Sequence, residues 1–213
     1  MNDADAMPPG RRLRRVVCCE FLHGAALSVW IGATVVTGAA AAVAFPVMKA
    51  LDPMLPGFSQ YPKDHWAIAA GHVMYRVFAL VNWLGIALSL LACGSFACAA
   101  LHARRVRSSM PPRGRFPLRA TVLGLLLALT AWNTFALSPG MNRDLRAFWD
   151  AARAGRIESA DAHRAAFDER HPIASRVLGA QALLASAALI LGCRAAVRRA
   201  PCVASTIDGN HES

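Results

Sequence analysis

Charge is what this chain lacks over four long stretches. Phe21–Met48, Val77–Leu101, Ala120–Leu137 and Val177–Cys193 contain no Asp, Glu, Lys or Arg. Runs of this kind exclude the surface helices of a soluble domain, which need a polar face toward water. The chain also lacks a glycine-rich phosphate loop and a legible Ser-His-Asp set, and the uncharged runs hold no paired acid and base. Those gaps exclude the common routes to nucleotide binding and hydrolytic catalysis. No internal repeat or low-complexity tract is present.

What is there is apolar length. Of 213 residues, 55% are hydrophobic and only 17% charged. Ala120–Leu137 is an 18-residue run, at 1.5 Å per residue it covers roughly 27 Å, close to the hydrocarbon thickness of a bilayer, and Pro139 and Gly140 just beyond it are expected to break the helix. Only a helix satisfies its own backbone there. The sequence therefore predicts an all-α membrane protein, a four-helix transmembrane bundle with spans at about 21–48, 77–101, 118–137 and 175–194. A basic tail over 1–20 precedes the membrane domain of 21–197, an external helical loop occupies 139–171, and a disordered tail over 198–213 follows.

The net charge of +10 follows membrane sidedness and points away from nucleic acid as a partner. Arg11, Arg12, Arg14 and Arg15 precede span one, Arg104, Arg105, Arg107, Arg113, Arg115 and Arg119 separate spans two and three, and Arg194, Arg198 and Arg199 follow span four. The first external loop has only Lys49 and Lys63 with Arg76 at the edge of span two, and the second, from Arg143 to Arg170, balances six arginines against six acids. The positive-inside rule then places both termini in the cytosol of an inner (plasma) membrane. On that threading Cys18, Cys19, Cys93, Cys98, Cys193 and Cys202 all lie on the reducing side, which argues against structural disulfides. The run TGAAAAVA also permits a reading of span one as a cleaved signal, but the apolar stretch is about twice a signal core.

Between spans one and two, Pro53, Pro56 and Pro62 exclude a long helix. Tyr61 and Trp66 are expected as interfacial anchors. After span three, Met141, Leu145, Phe148, Trp149 and Ala152 share one helical face. This amphipathic helix is expected to end at Gly155 and to pack on the bundle's outer mouth rather than lie in the headgroup layer. Ser159 is expected to cap a short second helix through Asp168, with Pro172 opening span four.

Each span carries one strongly polar, uncharged group: His23, Asn82, Asn133 and Gln181. The three amides are expected at one depth in the outer leaflet, with Thr34, Thr37, Thr130 and Thr134 within reach. Interhelical hydrogen bonding that sets register explains such a layer. The alternative is a small polar pocket rimmed by His72, Arg76, His171 and Arg176. At the opposite end, His23 shares a leaflet with Cys93, Cys98 and Cys193, a soft-metal donor set whose helical spacing does not converge on one ion. Gly24, Ser28, Gly32, Ala40 and Ala44 form a small-residue stripe suited to close packing, within the bundle or against a second copy.

The segments FLHGAALSVWIGATVV, GHVMYRVFALVNWLG, NTFALSPGM and FDERHPIA, in that order, resemble the transmembrane protein 205-like family of membrane proteins. The resemblance runs from about Phe21 to Cys193 and rests on Arg76, Asn133, Pro139, Phe167 and His171. Gly140 stands where that family has a basic residue, Asp168 where it has a histidine, and Leu178 where an amide is common. His23, Trp30 and Gly32 further resemble the first-span pattern of a group including copper-resistance D proteins and a haem-using protoporphyrinogen oxidase. That similarity implies His23 as a haem or copper ligand. The functional expectation is a non-catalytic accessory or structural membrane component. Its alternatives are a haem- or copper-binding redox protein and a transporter or channel component. Partners beyond the lipid bilayer are a homo-oligomer or a larger membrane complex.

Overall fold

Uncharged length becomes helix throughout the described residues, which are 9–106 and 116–197 of this computed structural model. Residues 1–8 of the expected N-terminal tail and the whole expected tail 198–213, with Arg198, Arg199 and Cys202, lie outside them, as do Arg107, Arg113 and Arg115. The elements are α1 (Pro9–Leu51), a 3-10 turn (Pro56–Phe58), α2 (His65–Val106), α3 (Phe116–Trp132), a π-helical turn (Asn133–Leu137), α4 (Ser138–Arg153) and α5 (Ile157–Val197). The fold is all-α, a four-helix bundle in which α3, the π turn and α4 form one continuous rod. No strand occurs among the described residues. All four rods are long and apolar enough to cross a membrane, the architecture of a multi-pass membrane protein. Leu80, Leu125 and Leu183 are each more than half exposed, a large apolar surface that water would penalise and lipid would not.

In α1, α3 and α5 burial picks out one stripe at the coiled-coil repeat. In α1 it runs Val16, His23, Leu27, Trp30, Thr34 and Thr37; in α3, Arg119, Leu123, Leu126 and Thr130, continued by Asn133 in the π turn; in α5, Val177, Gln181, Ala185 and Ala188. Steps of three, four and seven are the signature of helices crossing at a shallow angle. Small and polar residues occupy much of the stripe while Val, Leu and Ile face out, as expected where lipid, not water, is the competing solvent.

The chain divides into two compact units. One comprises the described residues up to Trp30, Ala87–Leu127 and those from Leu183 on; the other is Ile31–Ile86 with Ala128–Ala182. The second unit has an aromatic core. Phe58, Tyr61, Ile68, Phe148, Trp149, Ala151, Ala152 and Ala160 are buried together, with Leu55, Tyr75 and Leu145 packed against them. The expected amphipathic helix is therefore α4, packed on the protein by its apolar face. Gly155 ends it at φ +68, a left-handed conformation suited to glycine.

Three local expectations are corrected. Tyr61 is wholly buried rather than an interfacial anchor: its hydroxyl donates to Asp161 Oδ1 at 3.3 Å and its ring meets Phe148 edge-on. Burial pushes its phenol above the ordinary value. Trp66 is half-buried beneath Lys49 Nζ, 5.7 Å from its ring centroid. Lys63 also donates to Asp161, at 2.5 Å, and that hydrogen bond raises the lysine above its usual range.

Second, Pro139 and Gly140 do not break the rod. Proline clashes with the carbonyl four residues back in a regular helix, and here the wider π turn directly precedes it. Third, Ser159 caps no separate helix and Pro172 opens none, because α5 runs unbroken from Ile157 through Pro172 to Val197. Proline there forgoes one backbone bond, and Ser175 Oγ donates to the His171 carbonyl beside it at 3.1 Å.

Candidate functional site

Two polar clusters stand out, one in each unit. In the first, α1 contributes Glu20 and His23, α2 Ala92 and Phe96, α3 Arg119, and α5 Gly192. Arg119 is 4% exposed. Its Nη1 and Nη2 donate to Glu20 Oε1 and Oε2 at 3.2 and 2.7 Å, a forked charge-assisted pair, and its guanidinium lies 4.9 Å from the Phe96 ring centroid. His23 is 1% exposed, with Nδ1 2.9 Å from the Ala92 carbonyl oxygen. Only a protonated Nδ1 can donate to a carbonyl, so in the neutral ring Nε2 carries the lone pair. That atom and Arg119 Nε are buried without a hydrogen-bond partner.

Gly192 makes this cluster possible. A Cβ at that position would come within 3.2 Å of Arg119 Nη2 and 3.6 Å of His23 Cδ2. The guanidinium and the imidazole edge thus lie against bare backbone of α5.

In the second unit the amides form a directed chain. Asn133 Nδ2 donates to Asn82 Oδ1 at 3.0 Å, and Asn82 Nδ2 donates to Ser138 Oγ at 2.9 Å. The π turn accounts for this reach. Its i to i+5 register, marked by the Ser138 N–H donating to the Asn133 carbonyl, turns Asn133 and Ser138 toward the same partner, whereas five residues of regular helix would separate them by about 140°. Such π turns recur at functional sites.

The expected layer assembles only in part. Asn82 and Asn133 meet, but Gln181 donates to the Leu129 carbonyl at 3.4 Å, one turn before Asn133. Thr37 Oγ1 donates within its own helix to the Ala33 carbonyl. Thr34, Thr130 and Thr134 are buried, the last with its hydroxyl unpartnered. Of the expected rim, His72 stacks on Trp149 with centroids 3.7 Å apart. Arg76, His171 and Arg176 are exposed, with His171 stacked on Phe167 at 5.4 Å. Trp30 is almost wholly buried in the α1 stripe. Ser28 and Gly32 of the small-residue stripe are exposed, while Gly24 faces Leu189 of α5.

The structure keeps the soft donors His23, Cys93, Cys98 and Cys193 from converging on one site. Cys93 Sγ lies 4.0 Å from the Leu123 carbonyl, Cys193 is exposed, and no group of three His, Cys, Asp or Glu among the described residues could hold an ion. Sequence reasoning missed the Glu20–Arg119 pair. Both residues directly flank uncharged runs and were read as tail and loop. The signal was the spacing, since Arg119 lies 4, 7, 11 and 14 residues before Leu123, Leu126, Thr130 and Asn133.

The Asn82–Asn133 bond predicts a measurable coupling. In a double-mutant cycle with Asn82→Ala and Asn133→Ala, the interaction is expected at about 1 kcal/mol, the scale of interhelical hydrogen bonds in lipid. Additive single effects would show that the amides do not bond.

These features define an all-α, four-helix, membrane-type protein with two buried polar clusters. No protein-family model, curated protein or solved structure matches the chain.

Proposed function

We propose that this chain is a non-catalytic accessory or structural component of the inner (plasma) membrane, with both termini cytosolic, akin to the transmembrane protein 205-like family. The observation that carries this reading is that the strongly polar groups inside the bundle are directed at one another. Arg119 engages Glu20, Asn133 engages Asn82, Asn82 engages Ser138, and Gln181 engages a backbone carbonyl. Groups so engaged fix helix register, a structural use.

The haem and copper alternatives were tested against the residues present. A fixed His23 tautomer with a bare Nε2 is the state a metal-binding imidazole adopts. Copper nevertheless lacks further donors among the described residues. Haem does not fit either, because the imidazole edge bearing Nε2 faces Arg119 and the Gly192 backbone, with His23 only 1% exposed.

Two measurements test the proposal. A cytosol-only reporter fused to the C-terminus is expected to be active, and a silent fusion would overturn the topology. Protein purified in mild detergent from iron- and copper-supplied cells is expected to show no Soret band and no stoichiometric copper. Either signal, if abolished by His23→Ala, would replace the structural role with a redox one.

A further inference from the structure

The polar clusters leave one juxtaposition unused. Cys19 of α1 and Cys98 of α2, 79 residues apart in sequence, bring their sulfurs to 3.0 Å, inside van der Waals contact. Both thiols are half-buried, Cys18 and Cys193 are exposed, and Cys93 faces a carbonyl. Among the described cysteines this is the one cross-helix pair in contact.

We infer that Cys19 and Cys98 are a redox-active dithiol, a modification site at which a hydroperoxide joins α1 covalently to α2. A shift of about 1 Å brings the sulfurs to the disulfide length of ~2.05 Å. The roles follow from the hydrogen bond. Cys19 donates its S–H to Cys98, which ties up the Cys19 proton and leaves the Cys98 S–H free to pass its proton to the oxidant, so Cys98 is the attacking sulfur. It attacks the terminal oxygen of the hydroperoxide, forming an S–O bond as the O–O bond breaks. The departing alkoxide or hydroxide takes up the Cys98 proton and leaves as alcohol or water. Cys19 then attacks the Cys98 sulfur, the S–S bond forms, the S–O bond breaks, and hydroxide leaves as water with the Cys19 proton. Two electrons pass from the sulfurs to the peroxide. Glu20, the next residue in α1, holds Arg119 of α3, so the disulfide also pins the turn of α1 that carries the buried ion pair.

The inference does not depend on the proposed accessory role and is tested separately. In membranes from expressing cells, a full-length variant with Cys18, Cys93, Cys193 and Cys202 replaced by Ser is labelled with a polyethylene-glycol maleimide. Two tags are expected before oxidation, none after peroxide, and two again after dithiothreitol, with the protein migrating as a monomer throughout. Cys98→Ser in that background is expected to keep its one tag after peroxide, whereas Cys19→Ser is expected to stop at the Cys98 sulfenic acid, losing its tag and reacting with dimedone instead. Hydrogen peroxide and cumene hydroperoxide serve as parallel arms. Loss of tags with either supports the site, and loss with cumene hydroperoxide alone assigns the oxidant to the lipid phase. Tags that persist under both, tags missing before oxidation, or disulfide-linked dimers would overturn it. Peptide mass spectrometry of the unsubstituted protein after peroxide is an independent readout: a Cys19–Cys98 linked peptide is expected, and a Cys18-linked or absent crosslink counts against the inference.

Discussion

Replacing Glu20 with Gln is expected to lower the stability of the folded protein by about 3 kcal/mol, read from reversible unfolding in mixed micelles. Arg119 cannot shed its proton and is almost wholly enclosed by α1, α2 and α5. The substitution therefore strands a cation where water does not compensate it. Phe96 beneath the guanidinium offsets little of that loss, since cation–π contacts contribute about 0.5–2 kcal/mol. The companion experiment separates loss of a charge partner from loss of packing. Glu20→Met with Arg119→Leu removes both charges and is expected to recover most of the stability. If the single substitution costs under roughly 1 kcal/mol, the scale of a solvated surface pair, the burial of Arg119 is wrong.

Trp149→Ala is expected to cost about 3–5 kcal/mol, the range for removing a large aromatic from a core. Trp149 is the hub of the second unit. It stacks on His72, meets Tyr75 edge-on at 5.8 Å, and its Cζ2 would contact a Cβ at Gly71 at 3.5 Å. The indole thus packs flat on α2 where Gly71 leaves room, and its loss opens a cavity among Phe58, Tyr61 and Phe148. Trp149→Phe, which keeps a ring on His72, is expected to cost under half as much. Equal effects of the two would mean that the stacking and volume contribute nothing. A near-neutral Trp149→Ala would place α4 off the protein.

Several elements were legible from pattern alone. The amphipathic spacing from Leu145 to Ala152 identified α4 and its buried face because that helix has a polar side, and Gly155 marked its end. The four long apolar rods followed from the absence of charge. Pro139 and Pro172 misled for a common reason. Each sits in a rod long enough to continue past it, through a π turn in one case and a forgone backbone bond in the other. A shared depth for Asn82 and Asn133 was legible in the sequence, but their direct bond and Ser138 as its third member were not, because only the π register turns Ser138 inward.

Composition and run length by themselves determined that the fold is all-α, how many helices are membrane-length, and that most of their polar residues must find partners among themselves. They did not determine which face of each rod turns inward. In the uncharged runs of α1, α2, α3 and α5 both faces are apolar, so hydrophobicity does not separate inside from outside as it does for α4. That choice was made by tertiary packing: small residues such as Gly192 and Ala92 permit close approach, and the hydrogen bonds of Arg119, His23 and Asn133 fix the rotation. The physical reason is the solvent. Where lipid competes with protein for apolar surface, burial is selected by fit and polar pairing, and both are properties of helices brought together.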